Sequence, residues 1–525
     1  RAAVASVSAR LTDLEHHAMD EAGVIFAAQR ALLADPEIAG AVDADLADGV
    51  SAVTAWQQRL DAVARRFEAL EDAYQRERAA DVRSVQAFVL RALTGAPEGA
   101  LEGDLPVILI VDELDAATAA SIDADQVAGI VVTARGRTGH GAIVAASRGI
   151  PLFTGAGREA AEIRDGQRVA FDTRRDKLWT SFSRDDARRW PEYLAERRRE
   201  RAAALDAARQ PALTRDGTRV PVLANLGSVA DAEAAVASGA DGSGLVRTEV
   251  LFADRRDPPS VDEQTRTLLA LARALRGAPL TVRTWDVGGD KQLPFLALPR
   301  EDNPFLGVRG LRAFLGPNAP LPSELLADQL TAVCRAARET PIRVMFPMVA
   351  ERWEVDAALS LLRTAAGGNP PESLHVGIMV EIPAAALAVR SLAAGLDFVS
   401  IGTNDLTQYA LAADRGNDAV ADLADPLSPA VLRLVDLVGR ERPEGVTVSV
   451  CGDLSSRLEA VPLLLGLGVE ELSCLPALVP EVKAAVRRVD LGQAQALAAE
   501  ALQARDATVV RALLASWERQ GTRLT

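Results

Sequence analysis

Apolar residues recur at helical spacing from Ala5 to about Leu93: Leu11, Leu14, Met19 and Val24 first, then Phe67, Leu70, Tyr74, Val82, Val85, Phe88 and Val89. No two-residue alternation interrupts the run, so an all-helical unit is expected. The segment TGAPEGALEGDLP, residues 94–106, carries the Gly and Pro that end helices and marks a boundary. Short β-branched runs follow at 107–111, 129–133, 151–154 and 168–171, separated by helical stretches. They predict a small α/β domain ending near Leu178. The stretch DDARRWPEYLAERRRERAAALDAARQ, residues 185–210, mixes both signs of charge on helix formers and predicts a plainly solvated linker helix.

Beyond Pro211 the pattern changes to near-continuous apolar runs between helical segments. Eight runs stand out, at 220–224, 244–247, 280–285, 343–348, 375–380, 398–401, 446–450 and 470–474. Such runs read as parallel strands buried on both faces, and eight of them predict a (β/α)8 barrel, with a doubly wound sheet as the alternative. The placement of polar residues favours the barrel. Five of the runs stop at a charged or reactive residue, where the strands of a barrel hand over to their loops and chemistry is done.

Composition narrows the class. A chain of 525 residues with 49% hydrophobic and 25% charged residues is globular, with about two to four domains. Aromatics make up 4%, so its core must be aliphatic. The net charge of -15 suits neither nucleic acid nor an anionic membrane, while a protein ligand with a basic face fits it. Cys334, Cys451 and Cys474 are too few and too scattered for a disulfide framework or a zinc ribbon, which points to a reducing compartment. Neither a signal peptide nor an uncharged apolar run of about 18 residues is present, so a soluble, cytoplasmic chain without membrane insertion is expected. It opens at Arg1 rather than Met, which fits a processed chain or a piece of a longer one.

The strand ends carry the candidate chemistry: Arg247 in GLVRTE, Arg283 and Lys291 in TVRTWDVGGDK, Glu381 in GIMVEIP, Asn404 and Asp405 in FVSIGTND, and Cys451 in VSVCGD. Arginine forks suit phosphate and carboxylate, so Arg247, Arg283, Arg309 and Arg415 call for a small polyanion. Glu381 and Asp405, on neighbouring strand ends, match Mg2+, which takes one or two protein carboxylates and completes its octahedron with water and substrate oxygens. Cys451 is either a proton donor to a developing enolate or a buried inert thiol. Among four histidines, His140 lies in TARGRTGHGAIVAASRGIP, after a strand and a Gly-rich turn and before an Ala-rich helix. There an imidazole stands beside unpaired helix amides, which fits a phosphorylatable histidine as well as a capping or merely exposed one. His16 and His17 are read as surface or partner-facing residues and His375 as structural. No GxSxG elbow and no Walker loop occurs, so ATP binding has no support.

Long motifs then resemble one family. DGSGLVRTEVLFADR (241–255), VRTWDVGGDKQLPF (282–295), DNPFLGVRGLR (302–312), MFPMV (345–349), GIMVEIPAA (377–385), SIGTNDLTQYALAADRGN (400–417) and CGDLS (451–455), with ERAADVR (77–83), resemble enzyme I of the bacterial phosphotransferase system, the phosphoenolpyruvate-protein phosphotransferases. The resemblance implies a helical HPr-binding domain at 1–95, a swivelling phosphohistidine α/β domain at 96–182, a linker helix at 183–210 and a barrel at 211–525. That barrel would bind phosphoenolpyruvate and form the homodimer. Arg247, Arg283, Lys291, Asn404 and Arg415 would hold phosphoenolpyruvate with help from Arg309, Glu381 and Asp405 would bind Mg2+, and Cys451 would protonate the enolate. His140 would accept the phosphoryl group and pass it to HPr, the first step of sugar transport by that system. The histidine loop departs from the family pattern: Arg135 replaces a Gly, Gly139 a Ser and Ala146 an Arg, removing expected partners of the phosphohistidine, for which Arg135, Arg137 or Arg148 could substitute. The family's opening strand is expected before Arg1. Two other readings share the motifs: a relative of pyruvate phosphate dikinase or phosphoenolpyruvate synthase, disfavoured because only about 95 helical residues precede the histidine domain, and a regulatory paralogue that transfers poorly.

Overall fold

A computed structural model describes residues 1–17, 26, 29–69, 73–95, 107–112, 114, 119, 122, 126–133, 141, 145, 150–154, 156–173, 177–181, 183–253, 255–289, 293–296, 298–299, 301–414, 417, 420 and 423–522. The chain forms two compact units, Arg1–Arg188 and Arg189–Thr525.

The first unit opens with helices Ala2–His17, Pro36–Ala47, Ala52–Glu68 and Ala73–Thr94. Their starts follow local rules. Asp35 caps the second, its carboxylate accepting from Glu37 N–H at 2.8 Å with Pro36 in the first turn, and Ser51 caps the third through Thr54 N–H at 3.1 Å. Trp56, Leu60 and Ala64 face Val82, Val85, Phe88 and Val89, the stripe expected from the spacing. Leu11 is buried as expected, whereas the side chains of Leu14, His16, His17, Met19, Val24, Leu70 and Tyr74 lie outside those described.

The same unit holds a parallel sheet of β1 (Val107–Val111), β2 (Val127–Val132) and β3 (Leu152–Thr154), in that order. A hairpin of β4 (Ala170–Asp172) and β5 (Lys177–Trp179) lies beyond them. The sequence pattern marked β1 to β4 to within two residues. It did not mark β5, whose Lys177, Leu178 and Trp179 include no β-branched residue. Gly129 on β2 is needed for packing: a Cβ there would fall 2.4 Å from the Phe171 ring of β4.

In the second unit β6 (Val222–Leu226), β7 (Ser243–Arg247), β8 (Leu280–Arg283), β9 (Ile342–Phe346), β10 (Leu374–Val380), β11 (Phe398–Ile401), β12 (Thr447–Val450) and β13 (Glu471–Cys474) pair in parallel into a closed barrel. Pairing of β13 with β6 closes the ring and excludes the doubly wound alternative. All eight expected runs are strands. The run at 343–348 stops early because Pro347 cannot donate to the ladder, and Met348 takes a left-handed φ of 55°.

Alternation along the strands sorts their side chains. Val246, Val282, Val344, Ile378, Val399, Val448 and Leu472 point outward into the large core beneath the helices. Leu245, Met345, Met379, Phe398 and Cys451 form a separate cluster inside the ring. At the N-terminal floor Arg343 of β9 reaches across to Glu471 of β13, with contacts of 2.6 and 3.2 Å, and lies over the Phe398 ring. The barrel is thereby plugged from below, and open chemistry is left to its upper mouth.

Helix Arg184–Ala207 contains Pro191 and is largely exposed, as expected for a linker. Its C-terminal end departs from a plain solvated helix. The carbonyls a helix end leaves unsatisfied are taken up by Arg487, which donates to Ala207 O at 2.9 Å, and by buried Lys483, which donates to Ala208 O at 3.1 Å. Lys483 also pairs with Asp241 at 3.0 Å. Among the described residues no helix is long and apolar enough to cross a membrane.

Candidate active site

The C-terminal ends of β7 and β8 lie side by side, with Arg247 opposite Arg283 in register. Thr248, just past β7, donates its hydroxyl to Arg283 O at 2.9 Å and accepts from Gln329 at 3.2 Å, while Gln329 in turn accepts from Trp285 N–H at 2.9 Å. This buried polar scaffold holds the two strand ends together before any charge is considered.

The charges then interlock. Arg283 donates through Nη2 to Glu249, and its Nη1 lies 2.9 Å from Asp286 Oδ2. The other oxygen of Asp286 lies 3.5 Å from Arg309 Nη2. Arg309 Nη1 donates to Asp405 Oδ1 and to the Tyr409 hydroxyl, both at 2.8 Å, and that hydroxyl donates to Phe305 O. The guanidinium also sits over the Phe305 ring, 5.7 Å from its centre. Arg309 and Asp286 have fully buried side chains. Burial alone disfavours these cations; Asp286 with Glu249 around Arg283, and with Asp405 around Arg309, outweighs it and holds both guanidinium groups above their usual range. Among the described residues the buried Nε groups of both arginines meet no acceptor.

Glu381, at the end of β10, is 1% exposed and accepts the N–H of Met348 at 2.7 Å. The left-handed turn at Met348 aims that amide at it. Gly402 gives Glu381 its room, since a Cβ there would come within 3.0 Å of Glu381 Oε2. Asn404 accepts from Asp453 N–H at 2.9 Å through Oδ1, which leaves its NH2 as the donating end. Cys451, ending β12, is 3% exposed; its carbonyl accepts from Asn225 at 3.1 Å, and Asn225 accepts from Ser473 at 2.7 Å. Burial pushes the Cys451 thiol up to about 11, against opposing pulls from the Ser400 hydroxyl and Arg283.

Family models match at residues 201–491 (PEP-utilising enzyme, PEP-binding domain), 1–78 (PEP-utilising enzyme, N-terminal) and 103–176 (PEP-utilising enzyme, mobile domain). A phosphoenolpyruvate-protein phosphotransferase of Haloferax volcanii is 37% identical over 505 residues, covering 92% of this chain and 85% of that protein. The chain belongs to the PEP-utilising enzyme family. A relative of the same name from Listeria monocytogenes is 34% identical, covering 91% of this chain and 84% of its own length. A multiphosphoryl transfer protein of Xanthomonas campestris is 41% identical over 94% of this chain, which spans 59% of that longer protein.

Within this PEP-utilising enzyme, the structure brings Arg283, Arg309 and Asp405 into one buried network and sets Arg247, Glu381, Asn404 and Cys451 at or just beyond the ends of β7, β10, β11 and β12. Arg247 forms no ion pair among the described residues. His140, Lys291, Arg415 and the loop positions Arg135, Arg137, Gly139, Ala146 and Arg148 lie outside the described residues. The sequence reading offered the arginine forks to a ligand, whereas both η nitrogens of Arg283 are engaged by Glu249 and Asp286. Those two carboxylates, with Tyr409 and Asn225, were not anticipated. Glu249 and Asp286 stand two and three residues after a singled-out arginine, and that spacing was the available signal. Among the described residues no cluster of three or more His, Cys, Asp or Glu is placed to hold a metal.

Proposed function

We propose that this chain moves a phosphoryl group from phosphoenolpyruvate to His140 and then to a histidine of the carrier protein HPr, as the first step of a sugar phosphotransferase system. The observation that carries the reading is the interlocked Arg283–Asp286–Arg309–Asp405 network at the mouth of a closed barrel, in a chain of the PEP-utilising family. Arg247, Arg283, Lys291, Asn404 and Arg415 hold phosphoenolpyruvate, and Arg309 assists. His140 attacks phosphorus in line: an N–P bond forms as the bond to the enolate oxygen breaks. The Cys451 S–H then gives its proton to C3 of the enolate, producing pyruvate, and the thiolate is reprotonated from water. A thiol shifted up to about 11 stays protonated at neutral pH, the state a proton donor requires. Positioning and charge neutralisation supply most of phosphoryl-transfer catalysis, and this site is built for both.

Around the network, three arginines (247, 283 and 309) stand with four carboxylates (Glu249, Asp286, Glu381 and Asp405), so carboxylates outnumber these cations. A trianion therefore needs added positive charge. Lys291 and Arg415 supply part of it, and the donor set fits Mg2+: Glu381 and Asp405 are hard oxygen donors, and two carboxylates plus substrate oxygens are what that ion takes. Bound there, Mg2+ neutralises phosphate charge and orients it. We further assign residues 1–95 to HPr binding, 96–182 to the moving phosphohistidine domain, 183–210 to the linker and 211–525 to the barrel, which pairs with a second copy in a cytoplasmic homodimer. In calorimetry, phosphoenolpyruvate should bind the chain with Mg2+ and lose at least about tenfold in affinity with chelator. Equal affinity in both conditions contradicts the metal assignment, and no binding in either contradicts the site.

A further inference from the structure

We propose that Asp286 is a positioning residue, a buried anionic strut that fixes Arg283 and Arg309 relative to one another for phosphoryl transfer. The inference rests on the functional reading above. Arg283 ends β8, and Arg309 arrives on a separate loop just before the short helix Gly310–Ala313. Glu249 pairs with the first arginine and Asp405 with the second, while Asp286 reaches both, one oxygen to each at 2.9 and 3.5 Å. The backbone around it is packed to the same end. Gly310 N–H donates to Val287 O at 3.2 Å, and Gly288, at φ 96°, has no room for a side chain, since a Cβ would meet Val308 O at 2.3 Å and Arg309 Cγ at 3.0 Å. The segment carrying Asp286 is thus pressed onto the segment carrying Arg309.

Electrostatics separates this role from an affinity role. A carboxylate with no exposed surface, in a mouth already short of positive charge, acts directly against a polyanionic substrate, so the charge of Asp286 does not itself attract the substrate. What it supplies is geometry: two planar guanidinium groups, drawn from different elements, held about one carboxylate. A role confined to compensating buried cations for folding would change stability alone. Loss of a positioning role instead lowers the turnover rate without loosening ground-state binding.

The test uses the 525-residue chain with Mg2+, Asp286→Asn beside the parent, phosphoenolpyruvate affinity by calorimetry, pyruvate release with HPr as acceptor, and thermal unfolding to establish the fold. The proposal predicts that kcat falls about 100-fold, the loss typical of a misplacement near 1 Å, while phosphoenolpyruvate binds as tightly as before or more tightly. Asp286→Glu keeps the charge and lengthens the strut by a methylene; it should show the same split, and it decides the matter if the Asn variant does not fold. A folded variant with kcat within about threefold of the parent, or one losing affinity in step with kcat, overturns the proposal. Restoration of parental kcat by Asp286→Glu overturns it too. If the parent itself neither binds phosphoenolpyruvate nor releases pyruvate, the functional reading has failed and this inference falls with it.

Discussion

A thiol walled off from water ionises late, and Cys451 is such a thiol, 3% exposed inside the barrel ring. Its shift is also a statement about stability. With the group raised from 9.0 to about 11, the unfolded chain loses this proton first as pH rises, so the stabilisation is complete below about pH 9 and is lost as pH climbs through about 11. Comparing urea unfolding of the parent with Cys451→Ala between pH 8 and 11 should show a steeper decline in the parent, by roughly 2–3 kcal/mol across that window. Parallel curves would contradict the buried, protonated thiol. At this scale the sequence showed which residues end the strands, because a charge after an apolar run is visible in one dimension. It did not show what they touch. Asp286 and Glu249 stood in the quoted motifs without a role, since their partners lie as much as 34 residues away and only the strand register brings them together.

Elements were legible where burial is two-sided and long enough to leave a pattern. All eight barrel strands announced themselves as apolar runs, and only their ends needed correction, by one or two residues or at Pro347. Short β5 left no such mark. The linker helix was legible as a helix, but its anchoring was not, because a buried lysine nine residues beyond β13 gives no hint that its target is a carbonyl near residue 208. That anchor is testable. Lys483→Met removes the cation that neutralises Asp241 and caps the helix end, and it should lower the unfolding free energy of the barrel unit by about 3 kcal/mol, read by denaturant unfolding. A change below about 0.5 kcal/mol would mean that the contact contributes no net stability.

On the scale of the whole chain, class and architecture followed from periodicity: a helical start, an α/β segment and a barrel. In the proposed relay the phosphoryl acceptor is an imidazole nitrogen of His140, whose loop carries Arg135, Gly139 and Ala146. Incubation with phosphoenolpyruvate labelled in its phosphate, with Mg2+ and without HPr, followed by peptide mapping, tests this relay at its first transfer. Acid-labile label is expected on His140 alone, absent from His140→Ala and chased to HPr when the carrier is added. Phosphoenolpyruvate bound at the barrel with no label on His140 would contradict it, and the altered loop would then mark a protein that binds phosphoenolpyruvate without relaying its phosphate.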